Sequence, residues 1–177
     1  DGLDPYTTEI VVFGGEITDI ADTILSTMSV TTVKRLQGGI NGTKEERTET
    51  IELLDEDVTV PISRPLKDDL DLEIDVVHTA NYEGTDAAKD AVVSYVGGTF
   101  TDGTTNNGLL IGEDVLVNEI ENRIEDVTGV DYAQVTLLDA NGNGIDDTVR
   151  TVNDVPIYDV GDSALARVDV SNITLSE

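Results

Sequence analysis

Gly14-Gly15 lies where a strand-like run, Thr8–Phe13 (TEIVVF), gives way to a helix-like one. A strand, a glycine turn and a helix start make a phosphate cradle, in which backbone N–H groups and the helix dipole hold the anion. The residues that follow argue against that chemistry. A dinucleotide fingerprint needs G-x-G-x-x-G and a P-loop needs G-x-x-x-x-G-K-[ST], but Glu16 and Asp19 come next. Carboxylates in a first helical turn suit the macrodipole and repel an arriving phosphate. A second glycine cluster, GGINGTK (38–44), has a lysine without the spacing or the helix. Gly-Gly is therefore expected to turn a corner.

DANGNGIDD (139–147) is the segment closest to metal chemistry. Asp139, Asn141, Asn143 and Asp147 take positions 1, 3, 5 and 9 of a calcium loop, with Gly144 at position 6. Position 12 is Arg150, where an EF-hand closes with a bidentate Glu, and the flanks read as strands. The same letters also make an Asn-Gly hairpin turn. The expectation is no cofactor beyond a weak Ca²⁺ site, with an affinity no better than about millimolar. Asp139→Ala should change stability by less than ~1 kcal/mol with or without calcium. Calcium calorimetry checks this: micromolar binding lost in the variant would make the loop a true cation site. No catalytic residue is marked. His78, the one histidine, has no local nucleophile or acid partner, and carboxylates are too abundant for spacing to select an acid/base pair. Asn41-Gly-Thr and Asn172-Ile-Thr are chance matches to an acceptor motif, and TFTDGTTNNG reads as a solvated loop.

Thirty-seven Asp and Glu face ten Lys and Arg, a net charge of -27, and only four of the ten bases are Lys. Such a surface repels nucleic acid and anionic lipid, so neither is an expected partner. The acids are scattered (DDLDLEID, NEIENRIED), as on a folded surface, and 38% of the residues are hydrophobic. This points to a protein made in a high-salt cytoplasm, of a halophilic archaeon or its virus. No apolar run approaches the ~18 residues of a membrane span. The opening DGLDPYTTEI lacks a start Met and the basic and apolar regions of a signal peptide, so the expectation is a piece of a longer polypeptide. With no Cys there is no disulfide framework.

The elements that would position these residues follow from periodicity. Ile17, Ile20, Ala21, Ile24, Leu25 and Met28 recur on one helical face, predicting a helix to about Val30. TETIELL and VTVPI read as a hairpin around DED. PISRP (61–65) has two prolines in five residues, which predicts a joint in place of a central strand and a domain boundary after Arg64. Leu70, Leu72, Ile74 and Val76 alternate with acids as a half-buried strand. Thr85 is placed to cap a helix over 86–96, and a second helix is expected over about 113–127, with Gly129 as its C-cap. YAQVTLLD, DTVRTV, VPIY and ARVDVSNITL read as strands. The fold class is α+β: two small α/β modules, 1–64 and 65–177, with mixed or antiparallel sheets and helices packed on one face.

Taken in order, PYTTEIVVFGGEITDIADTIL, LQGGINGTKEERTETIELLDEDVTVPISRP, LEIDVVH and VPIYDVGDSALARVDVSNITLSE resemble the C-terminal part of the baseplate J family. These are baseplate wedge proteins of contractile-tailed viruses and contractile injection systems. The shared pattern is a strand into Gly-Gly and a helix, a glycine turn feeding a hairpin, an F-x-R-P junction, a V-P strand and a terminal NIT strand. Here the junction is Ile62-Ser63-Arg64-Pro65, with Ile where the family often has an aromatic. The resemblance implies a structural, non-catalytic part of a virion tail baseplate or prophage-encoded particle. It also implies a ring of copies joined to other baseplate and tail proteins. The rival expectation is an extracellular calcium-binding or adhesive module, carried by DANGNGIDD and the Thr/Asn loop.

Overall fold

The structure, a computed structural model, describes residues 4–51, 55–138, 144, 149–152, 155–160 and 164–176. The class is α+β. The chain divides into two compact units, Asp1–Leu66 and Lys67–Glu177.

In the first unit, α1 spans Ile17–Thr27 and α2 spans Val30–Val33; β1, Gly42–Ile51, pairs antiparallel with β2, Glu56–Asp69. The last residues of β2 belong to the second unit. Ala21, Ile24, Val33, Leu36, Val58, Val60 and Ile62 form the core, with Ile10, Val12, Ile17 and Ile20 packed on it. The expected helix to Val30 is broken at Met28 and Ser29. Ser29 is extended, and its side chain accepts from Thr32 N–H at 3.2 Å, so a new helical turn starts there. Met28 consequently leaves the apolar face and is 37% exposed.

PISRP is not a joint: Pro61 and Pro65 lie inside β2, opposite Glu46 and Gly42 of β1. N–H groups along a strand alternate in direction. Ser63 N–H, midway between the prolines, donates to Ile10 O on the side away from β1. Pro61 and Pro65 share that direction, so their missing donors cost the β1–β2 ladder nothing. They do stop the neighbouring ladder. The 8–13 run, expected as a strand, makes only isolated parallel bridges, Thr8 with Leu36 and Val11 with Ser63.

The second unit is built on a three-stranded sheet in the order β11–β3–β7: β3 is Asp71–His78, β7 is Val130–Leu138 and β11 is Ile173–Ser176. β11 runs parallel to β3, and β7 antiparallel. Leu72, Ile74 and Val76 of β3 and Ala133, Val135 and Leu137 of β7 are buried against α3 (Thr85–Val96) and α4 (Val117–Glu125). Each of the Leu, Ile and Val side chains among them contributes about 1.5–3 kcal/mol. Glu73 and Asp75 face solvent, as their alternation predicted. Gly84, not Thr85, is the N-cap of α3. α4 begins only at Val117, because Val115–Leu116 forms β6 against β9, Val155–Tyr158; β9 also pairs with β8, Val149–Val152. α4 ends at Glu125, so Gly129 is not its C-cap; its carbonyl accepts from Thr79 N–H at 2.7 Å.

TFTDGTTNNG is more ordered than a solvated loop. Gly98–Thr99 (β4) and Thr105–Asn106 (β5) form a short hairpin. Asp90 of α3 accepts from Thr101 N–H and Oγ1 at 2.8 and 2.9 Å, and Asn106 Nδ2 donates to the Val93 and Ser94 carbonyls at the end of α3. ARVDVSNITL splits in two: β10 (Ala164–Asp169) runs parallel to β4, and β11 joins β3. A 3₁₀ turn at Val170–Asn172 divides them, capped by Asp169, which accepts from Ser171 N–H at 2.9 Å. At the outer edge of β7, Ala133 and Val135 N–H donate to Glu125 and Glu121 of α4 at 3.2 Å each. Gly144 bridges Leu138 farther along. Part of that edge is thereby taken by the chain itself, which limits pairing with other chains there.

Tyr158 carries a pH test of this unit. Its hydroxyl donates to Asp68 Oδ2 at 2.9 Å. Burial, then the hydrogen bond to Asp68 and its charge, push the phenol up to about 12. An unfolded tyrosine titrates near ~10. Between those values the folded state keeps a proton that the unfolded state has lost, so stability present below the lower value falls away towards the upper one. Tyr158→Phe should flatten that part of the stability profile, measured by denaturant midpoint at each pH. An unchanged alkaline slope in the variant would refute the link.

Candidate functional site

The Gly14-Gly15 corner is assembled from three segments far apart in sequence. Both glycines have positive φ, +70° and +73°. In that conformation the backbone turns sharply before α1, whose first turn carries Asp19. The Gly14 and Gly15 carbonyls are taken by the guanidinium of Arg64: Nη1 donates to Gly14 O, and Nη2 to Gly15 O at 2.8 Å. Nη1 also reaches Val12 O at 3.3 Å, and Nε pairs with Glu45 Oε2 at 2.9 Å. The geometry has a clear origin. In a parallel ladder Pro65 would have donated to Val12 O; it has no N–H, and the adjacent arginine fills the place. The corner presents carbonyl oxygens to a cation of its own chain. That is the reverse polarity of a phosphate cradle, which presents N–H groups.

The other glycine cluster does present N–H groups, and to a carboxylate. Glu9 accepts from Ile40 N–H at 2.9 Å, from Asn41 N–H at 3.1 Å and from Asn41 Nδ2 at 2.6 Å. It also accepts from the hydroxyl of Ser63, a fully buried side chain that in turn accepts from Gly39 N–H at 2.7 Å. Burial opposes the charge on Glu9, but the bonds from Ser63, Asn41 and Ile40 outweigh it and hold its carboxyl below the usual range. The stability this contributes is present above the ordinary carboxylate value and lost as pH falls through the lowered one. The 38–42 turn is thus a backbone nest filled by the protein's own anion.

These contacts join residues 19 to 54 apart, which local pattern cannot reveal. The available signal was an arginine held between prolines in a chain poor in bases. His78 stacks on Tyr82 with ring centroids 4.6 Å apart, and its Nδ1 lies 3.0 Å from Thr79 O. Asn172 Oδ1 accepts from Ser171 Oγ at 3.3 Å. The calcium-loop candidates Asp139, Asn141, Asn143 and Asp147 lie outside the described residues. Among the described residues no three His, Asp or Glu are grouped to hold a metal. No helix among them is long and apolar enough to cross a membrane.

Gly15→Val tests the corner. The side chain would meet Ile20 Cδ1 at 3.4 Å, ordinary contact, so the penalty comes from φ. A β-branched residue at φ +73° costs about 1 kcal/mol or more. The variant should melt lower, and ATP or NAD titrations should give no saturable binding to either protein. Nucleotide binding by the wild type, lost in the variant, would overturn the structural role of the corner.

No family model matches the chain, and no curated protein matches it.

Proposed function

We propose that this chain is a structural component of a phage-tail-like baseplate, a wedge part linking the tail hub to neighbouring baseplate proteins. The observation that supports it is the use to which the resembling motifs are put. Gly-Gly, the glycine turn and the Ser-Arg-Pro junction are the segments on which the likeness to the baseplate J family rests. In the first unit their polar groups bond to one another: Arg64 to the Gly14 and Gly15 carbonyls, Ser63 to Glu9 and Gly39. Residues engaged in this way hold a building block together, which fits a role without catalysis. Its partners on this proposal are copies of itself in a ring and other baseplate or tail proteins. The particle is virion- or prophage-encoded and assembled in a high-salt cytoplasm.

The test is to purify tail-like particles from the producing cells and label them with gold-tagged antibody against this chain. The expected result is label at the baseplate end of intact particles. Label absent from particles, with the protein recovered only free in solution, would end the proposal.

A further inference from the structure

The first unit holds residues 4–13 by few backbone bonds among the described residues. Two join it to β2 (Val12 N–H to Ser63 O, Ser63 N–H to Ile10 O) and two to the turn after α2 (Thr8 N–H to Arg35 O, Gln37 N–H to Thr8 O). Pro65 has no N–H to carry the ladder on to Val12 O, and Pro61 has none to offer Thr8 O. Yet the segment supplies Ile10 and Val12 to the core and Glu9 to the nest, so the unit is incomplete without it. It is followed by Gly14-Gly15, a natural hinge, since glycine crosses between positive and negative φ at no steric cost. Arg64 spans the hinge, bonded to Val12 O before it and to the Gly14 and Gly15 carbonyls within it.

We propose that residues 4–13 are an exchangeable strand, that Arg64 is the clasp that keeps it at home, and that the occupant of the vacated groove is the same segment of a second copy. Charge and shape select that occupant. The groove takes an apolar pair spaced i, i+2 and, one residue before it, a carboxylate for the Ile40–Asn41 nest; Glu9, Ile10 and Val12 supply this set in every copy. Exchange forms no new kind of contact, so its barrier is release of the clasp and opening of the hinge, and it closes into dimers or propagates as chains. This goes beyond the baseplate proposal and does not depend on it.

The chain has no cysteine, which makes the experiment clean. Thr8→Cys and Leu36→Cys place thiols at directly bridged positions. Oxidation then joins two points of one chain when the strand is at home, and two chains when it is exchanged. The Cys pair is carried on wild type, Arg64→Ala and Arg64→Lys, incubated at rising protein concentration, oxidised and run on a non-reducing denaturing gel. Arg64→Lys keeps the charge but not the fork, and serves if the alanine variant does not fold. Loss of these charged hydrogen bonds should raise the rate at which covalent dimers and multimers appear by at least about tenfold, in proportion to protein concentration. Adding Pro65→Ala to the arginine variant restores a donor for Val12 O and should slow exchange again, an effect that general destabilisation would not give. Internally cross-linked monomers alone, at every concentration and in both arginine variants, would overturn the proposal.

Discussion

An alanine at Gly98 is expected to unfold the second unit or to lower its melting temperature by on the order of 10 °C or more. Gly98 has φ +141°, and a Cβ placed there would sit 1.9 Å from Val168 O. Backbone cannot yield as a flexible side chain does. Gly98 pairs directly with Val168 of β10, and Val168 N–H donates to Gly97 O at 3.0 Å. Relief of the clash must separate β4 from β10, next to the end of α3, where Gly97 N–H still bonds Val93 O at 2.9 Å. Val93, Val96 and Val168 are fully buried there. Strain of this kind and loss of the pairing together should cost about 3 kcal/mol or more. Gly103→Ala is the control. It also has positive φ, +83°, but no atom lies within 4 Å of its Cβ position. It should lose only the conformational term, about 1 kcal/mol. Calorimetric melting of both variants decides it; equal small losses would mean that β4 does not approach β10 so closely.

What could be read in advance was what a short window contains. The alternation of Leu72, Ile74 and Val76 with acids fixed which face of β3 is buried, because a strand has period two. Ala21 and Ile24 of α1, and Val117, Ile120 and Ile124 of α4, turned inward as helical spacing requires. Two of the failures share one cause. Whether Pro61 breaks a strand depends on which way its absent N–H would have pointed, and that is set by β1 on one side and residues 8–13 on the other. ARVDVSNITL has strand composition throughout, so its division at Asp169–Asn172 is a side-chain cap that only the partners β4 and β3 make intelligible. The corner itself was legible as a turn from its two glycines. Its clasp was not, since Arg64 comes from 50 residues away.

Raising KCl from a few millimolar to molar should stabilise the protein strongly. The charge is -27 with every Lys and Arg already counted against a carboxylate. Lys34, Lys44, Arg47, Arg64 and Arg123 each meet a glutamate, and apart from Arg64 these cations are 40% exposed or more. Exposed pairs contribute about 0.2–1 kcal/mol each. Salt weakens them, but it weakens the repulsion among the surplus carboxylates as well, and the surplus is larger. The unfolded chain spreads the same charge through a larger volume, so the penalty falls mainly on the compact state. At molar salt the screening length is about 3 Å, shorter than most spacings between surface acids. Melting temperature should therefore climb by on the order of 10 °C or more, and the protein should partly unfold when dialysed against dilute buffer. Sucrose at matched osmolarity separates screening from general solvent exclusion, because it stabilises burial without touching charge. A melting temperature flat in KCl, or a rise that sucrose reproduces in full, would remove both the charge argument and the high-salt origin drawn from it.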